Sequence, residues 1–146
     1  MPLAFDISML GDVKLERMLA KLHPTVQRKI GRKASRRAFT PIKKAIVANT
    51  PVLTGALKEG IKLRALKRST LVFGHKVLTP ERADLGLSDR GPGDENSSYY
   101  PFAVEYGHGN VPAVRFMRDA YDKNENRALS LFRANLFRGI EEAAKK

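Results

Sequence analysis

Few side chains in this sequence have both the type and the spacing that chemistry would need. The three histidines, His23, His75 and His108, stand far apart, and there is no cysteine to accompany them. Only Glu105 and His108 pair a carboxylate with an imidazole three residues away, beside a glycine-containing turn. Such a pair supplies at most two ligands where a metal ordinarily takes three or four protein groups. A small metal-dependent nuclease built on Glu105 and His108 is therefore the weakest functional class. No GxxxxGK[ST] phosphate loop, GxGxxG turn or GxSxG elbow occurs, so nucleotide hydrolysis, dinucleotide binding and hydrolase chemistry have no carrier. The expectation is a protein that is not an enzyme and uses no cofactor or metal, with Glu105 in a structural or interface contact and His108 on an exposed turn.

Charge is the stronger signal. The chain carries 27 lysines and arginines against 15 acidic residues, a formal +12. Between Glu16 and Glu59 there are eleven cations and no acid. Within that block, Arg28, Lys29, Arg32, Lys33, Arg36, Arg37, Lys43 and Lys44 fall on one half of a helix at about 100° per residue. Ile30, Ala34, Ala38, Ile42, Ala45 and Ala48 occupy a different arc, while Phe39, Ile46 and Val47 land on or beside the basic half. Regularly spaced cations can follow a phosphate backbone without reading bases, meet an acidic protein surface, or simply face water. No helix-turn-helix, zinc-finger or RNP-like signature accompanies them, so sequence-specific readout is not expected. The opposite charge gathers later: Glu81, Asp84, Asp89, Asp94, Glu95 and Glu105 stand against only Arg82 and Arg90.

The elements that must position these groups can be read from periodicity and punctuation. At 146 residues there is room for one domain, 1–146, with a real core. No apolar run is long enough to cross a bilayer. Asp6, Asp12 and Glu16 stand where a signal peptide would be positive and then apolar, so the expected setting is a reducing cytoplasm. Asp12 is placed to cap a short helix over Val13–His23, and Pro24 to open a long one over Pro24–Asn49, kinked at Pro41. Thr54-Gly55 reads as a turn, and strands are predicted over Ala56–Leu66 and Thr70–Leu78. Thr79–Ser98, polar and without periodicity, is predicted as a flexible loop. Tyr99–Tyr106 is aromatic and β-prone, its tyrosines and Phe102 better suited to a core than to stacking bases. A turn at Gly107–Asn110 leads to a long helix over Phe116–Ala144. The predicted order is α-α-β-β-loop-β-α. This is an α+β fold, a small antiparallel or mixed sheet packed on a long helix from the N-terminal half and a long C-terminal helix.

Three stretches, in this order, resemble the tail-completion proteins of tailed bacteriophages, also described as head–tail joining, neck or minor tail components. They are AIVANTPVLTGALKEGI at Ala45–Ile61, YYPFAVEYG at Tyr99–Gly107, and RFMRDA at Arg115–Ala120. Members of that family often carry proline where Arg115 and Asp119 stand here, and Gly-Thr where this chain has Gly107-His108. The resemblance implies a structural virion protein with no catalysis. It implies a ring, commonly a hexamer, at the head-proximal end of the tail, with the tail tube or terminator and the head–tail connector as partners. Its place would be the virion neck, after assembly in the host cytoplasm, with no membrane. Thr54, Gly55, Glu105, Tyr106 and Gly107 would then be structural turns. The eight cations of the long helix would face a neighbouring subunit, passing DNA or solvent.

Overall fold

The computed structural model describes residues 4–5, 13–52, 55–67, 74–80 and 100–145. The order is β1 (Ala4–Phe5), α1 (Val13–Ala20), α2 (Pro24–Asn49), α3 (Ala56–Glu59), β2 (Lys62–Ala65), β3 (His75–Leu78), α4 (Tyr100–Tyr106) and α5 (Phe116–Ala144). The fold is α+β, with two long helices and one small antiparallel sheet. Asp12, Thr54 and residues 81–98 of the expected loop lie outside the described residues, whereas Thr79 and Pro80 are buried.

The two long helices span the residues their periodicity predicts and share the largest interface among the described elements. At Gly139 of α5 an added Cβ would lie 2.6 Å from Cγ2 of Ile30, so the missing side chain lets α2 approach closely. Pro24 opens α2, and the Nδ1 atom of His23 accepts the N–H of Thr25 at 3.3 Å as its cap. That histidine ends the preceding helical pattern early, and α1 stops at Ala20 rather than His23. α2 continues through Pro41. The carbonyl that proline leaves unbonded belongs to exposed Arg37, where water can take its place.

The buried arc of α2 is wider than the small apolar stripe read from sequence. Phe39 and Ile46 are both buried despite lying beside the basic half. The reason is that α2 sits centrally, with α5 on one flank and β2 and β3 on the other. One end of the core joins Leu15, Ile30, Ala34, Leu136 and Ile140. The other joins Phe39, Ile42, Ile46, Leu57, Val77 and Phe116, with Phe132 packing against both clusters.

Two of the three strand predictions need correction. Ala56–Leu66 begins as a helical turn, closed by Glu59 N–H to Gly55 O at 2.9 Å and Gly60 N–H to Ala56 O at 3.0 Å. Leu57 and Ile61 are four apart, a spacing that satisfies both periods, so alternation could not distinguish them. The strand is confined to Lys62–Ala65, with Lys62 and Arg64 exposed as the alternation requires. Of the strand predicted over Thr70–Leu78, residues 70–73 lie outside the described residues and His75–Leu78 is a strand; it is central, pairing antiparallel with β2 (Leu63 opposite Val77) and with the unanticipated β1 (Phe5 opposite Val77). The stretch predicted as a strand over Tyr99–Tyr106 is a helix from Tyr100 onward. Pro101, Val104 and Glu105 are buried at helical spacing, and Phe102 stacks on Tyr106 one turn later with ring centroids 6.1 Å apart. Proline is compatible with the first turn of a helix, and aromatic residues carry no veto on one.

Candidate functional site

The connection from α4 to α5 is built by the residues of the second and third motif stretches. Gly107 ends α4 with φ +77°, its N–H on the Ala103 carbonyl at 2.8 Å. The chain then reverses at Gly109, where His108 and Val111 exchange both backbone hydrogen bonds, as expected of that turn. Val114 N–H returns to the Val104 carbonyl at 2.8 Å. This reversal brings Glu105 to the start of α5. Its carboxylate accepts the N–H of Met117 at 2.9 Å and of Arg118 at 3.1 Å, and the side chain is fully buried. Free N–H groups and the positive end of the dipole at a helix start both favour a carboxylate there.

Glu105 is therefore a cap supplied from another helix, and both of its oxygens serve α5 rather than a ligand set with His108. Among the described residues, no group of three or more histidines, cysteines or acids could hold a metal ion.

The cap from a distance replaces one that the local sequence lacks. Arg115, at the N-cap position, makes no capping bond through its side chain and has φ +53°. It pairs instead with Asp119 at 3.3 Å. Proline cannot adopt a positive φ, so the proline common in the resembling family at this position does not fit this chain's backbone. Asp119 likewise uses its N–H, on the Arg115 carbonyl at 3.0 Å. Relieving the strain at Arg115 should help: Arg115→Gly is expected to raise stability by roughly 1 kcal/mol, and Arg115→Pro to lower it by about 3 kcal/mol. Thermal denaturation of the two variants checks the opposite signs.

The same region exposes apolar surface. Tyr106, Val111 and Val114 are each about half exposed, at 53%, 54% and 47%. The Arg118 guanidinium lies 5.1 Å from the centre of the Tyr106 ring. Phe102 and Tyr106 thus form a helix-face pair covered by an arginine, not a cross-strand pair.

The basic residues of α2 separate into two flanks. Arg28, Lys29, Lys33, Arg36, Arg37 and Lys44 are exposed, Arg32 and Lys43 half-buried. Towards the sheet, His75 is buried with Nδ1 3.0 Å from the Ser35 hydroxyl. Burial, then Arg36 and Arg32, pushes the imidazole pKa down from its usual 6.5. Buried Ser35 is closed to substrate, so this pair joins β3 to α2 and is not a nucleophile with its base.

Towards α5, Lys29, Lys33 and Arg37 form one rim of an open groove of about 720 Å³. Arg37 is held there by the Asn135 side-chain oxygen at 2.6 Å. Arg138 and Lys145 stand on the α5 side with, among the described residues, one carboxylate, Glu142, and the floor is Leu22, Val26, Ile30 and Ala143. Sequence reasoning missed Arg138 and Lys145 because it treated only α2 as cationic. Their placement depends on which face of α5 meets α2.

Groove and exposed apolar residues lie at opposite ends of α5. From Arg115 to Arg138 a straight helix rises about 34 Å. Among the described residues no helix is long and apolar enough to cross a membrane. Comparison with protein-family models, with curated proteins and with solved structures returns no match.

Proposed function

We propose that this chain is a structural subunit of the phage tail-completion type, assembling head to tail into a ring that closes the head-proximal end of a tail and meets the connector of the capsid. A ring needs two different patches on each subunit, whereas a twofold dimer needs one self-complementary patch. The observation that carries the reading is the separation of the exposed residues Tyr106, Val111 and Val114, at the start of α5, from the cationic groove at its far end. Three exposed apolar residues within nine positions of the chain offer surface that a protein contact could bury. The motif stretches support the reading in another way: Gly55 takes φ +92°, Gly107 takes φ +77°, and Glu105 ties the second stretch to the third. The residues behind the resemblance are thus the ones that set this local fold. A hexamer, the virion neck as location, and the tail tube or terminator as neighbour follow from the resemblance.

Multi-angle light scattering and electron microscopy across protein concentration test this reading. Wild type should form a closed ring of one size. Val111→Asp with Val114→Asp should remain folded, because both sites are exposed, and stay monomeric. A wild-type monomer persisting at high concentration with tail tubes and connectors present would overturn the proposal.

A second reading, sequence-independent nucleic-acid binding, draws on the eight accessible cations of α2. It requires duplex affinity that falls steeply with salt and weakens when Arg32, Lys33 and Arg36 lose their charge.

A further inference from the structure

We infer that the groove between α2 and α5 receives the acidic segment Glu81–Glu95 of a second copy of this chain. The inference rests on the head-to-tail reading and names the surfaces that would meet. Charge selects the occupant. Among the described residues the groove carries five cations, Lys29, Lys33, Arg37, Arg138 and Lys145, against Glu142. The segment holds Glu81, Asp84, Asp89, Asp94 and Glu95 against Arg82 and Arg90, in a chain whose overall charge is +12.

The floor selects further. Leu22, Val26 and Ile30 offer aliphatic surface, and the segment places Leu85 and Leu87 between its first and second pairs of acids. A nucleic-acid backbone would satisfy the cations but bring no aliphatic side chain to that floor.

Connectivity agrees with this assignment. Glu95 precedes the first residue of α4, Tyr100, by five positions, and α4 ends at the exposed Tyr106. Acidic segment and exposed apolar residues therefore belong to one stretch of chain, while the groove lies at the other end of α5. A neighbour presenting the first to the second makes one continuous heterologous contact, and its opposite charges fix the orientation.

Complementary charge reversals in the full chain test the inference. Lys33→Glu with Arg138→Glu alters two exposed rim residues; Asp84→Lys with Asp89→Lys alters the segment. Each double variant alone should need at least about tenfold more protein to assemble than wild type at low salt. Mixed, they should assemble by light scattering at concentrations where neither does alone, because the segment retained by one meets the groove retained by the other. A synthetic peptide of residues 81–95 should inhibit wild-type assembly, and the same peptide carrying Asp84→Lys and Asp89→Lys should not. That comparison reads the contact even if a charge-reversed chain fails to fold.

Wild-type rings from both double variants, with no inhibition by the peptide, would overturn the inference and leave the ring standing. So would a groove variant that assembles normally but no longer binds duplex, which would give the groove to nucleic acid. A wild-type chain that never assembles would overturn the ring reading and this inference with it.

Discussion

Gly107→Ala should lower the melting temperature by about 10–20 °C. The added Cβ would lie 2.7 Å from the Val111 carbonyl oxygen and 2.9 Å from the Ala113 nitrogen. Both are backbone atoms, so no side-chain rotation relieves the overlap. The positive φ alone costs an alanine roughly 1 kcal/mol. Moving residues 108–113 away would strain the His108–Val111 pair and the Val114–Val104 hydrogen bond, at about 1 kcal/mol each, and would shift Glu105 from the start of α5. Together these place the loss near 3–5 kcal/mol.

Gly109 supplies the control. It also has a positive φ, +51°, but nothing stands within 4 Å of a Cβ there. Gly109→Ala should therefore cost only the backbone preference, roughly 1 kcal/mol. Equal melting temperatures for the two variants would show that the close approach at Gly107 carries no weight.

Glu105→Ala should destabilise the fold by about 3–4 kcal/mol, because it removes a buried charged acceptor and leaves two helix N–H groups without a partner. Those groups belong to Met117, fully buried, and Arg118, half-buried, so water can replace the lost bond at the second more readily than at the first. Glu105→Gln separates charge from shape. It keeps the length and one acceptor oxygen but turns an amide N–H₂ towards a donor, and should cost roughly 2 kcal/mol. Glu105→Asp keeps the charge but is one methylene short, and should resemble Ala more than Gln. Chemical denaturation of the three variants gives this order directly. If Glu105→Gln matched wild type, the cap would be a matter of shape alone.

These two residues also mark how far the sequence could be read. Gly107 was legible because a glycine following an aromatic run punctuates the chain, and a left-handed position is its usual use. Glu105 was expected in a structural or interface contact, and its carboxylate caps α5. What it binds was not legible. Its partners are backbone groups beyond a chain reversal, and a helix start that borrows its cap from elsewhere has no local signature. Position 115 holds an arginine whose side chain makes no capping bond, where Ser, Thr, Asp or Asn would announce a start.

The candidate interface divides the same way. Eight cations on one helix can be counted from sequence, but their division between a sheet flank and a groove cannot. Arg138 and Lys145 lie about a hundred residues from Lys33 and share its groove only because α2 and α5 pack side by side. Likewise, Tyr106 became an exposed helix residue rather than a strand residue because α4 buries Pro101, Val104 and Glu105 instead.

By itself the sequence determined both long helices, from Pro24 to Asn49 and from Phe116 to Ala144, and the α+β class. A stripe repeated over six or more turns outweighs any local exception, and proline and glycine punctuate what lies between. It also determined the excess of positive charge and the glycine turns. Only the tertiary structure decided the short elements, the width of the buried arc on α2, the cap on α5 and the cationic groove. Each of these depends on which faces meet across long stretches of chain, and four to seven residues carry too few periods to choose helix or strand before their neighbours bury one side.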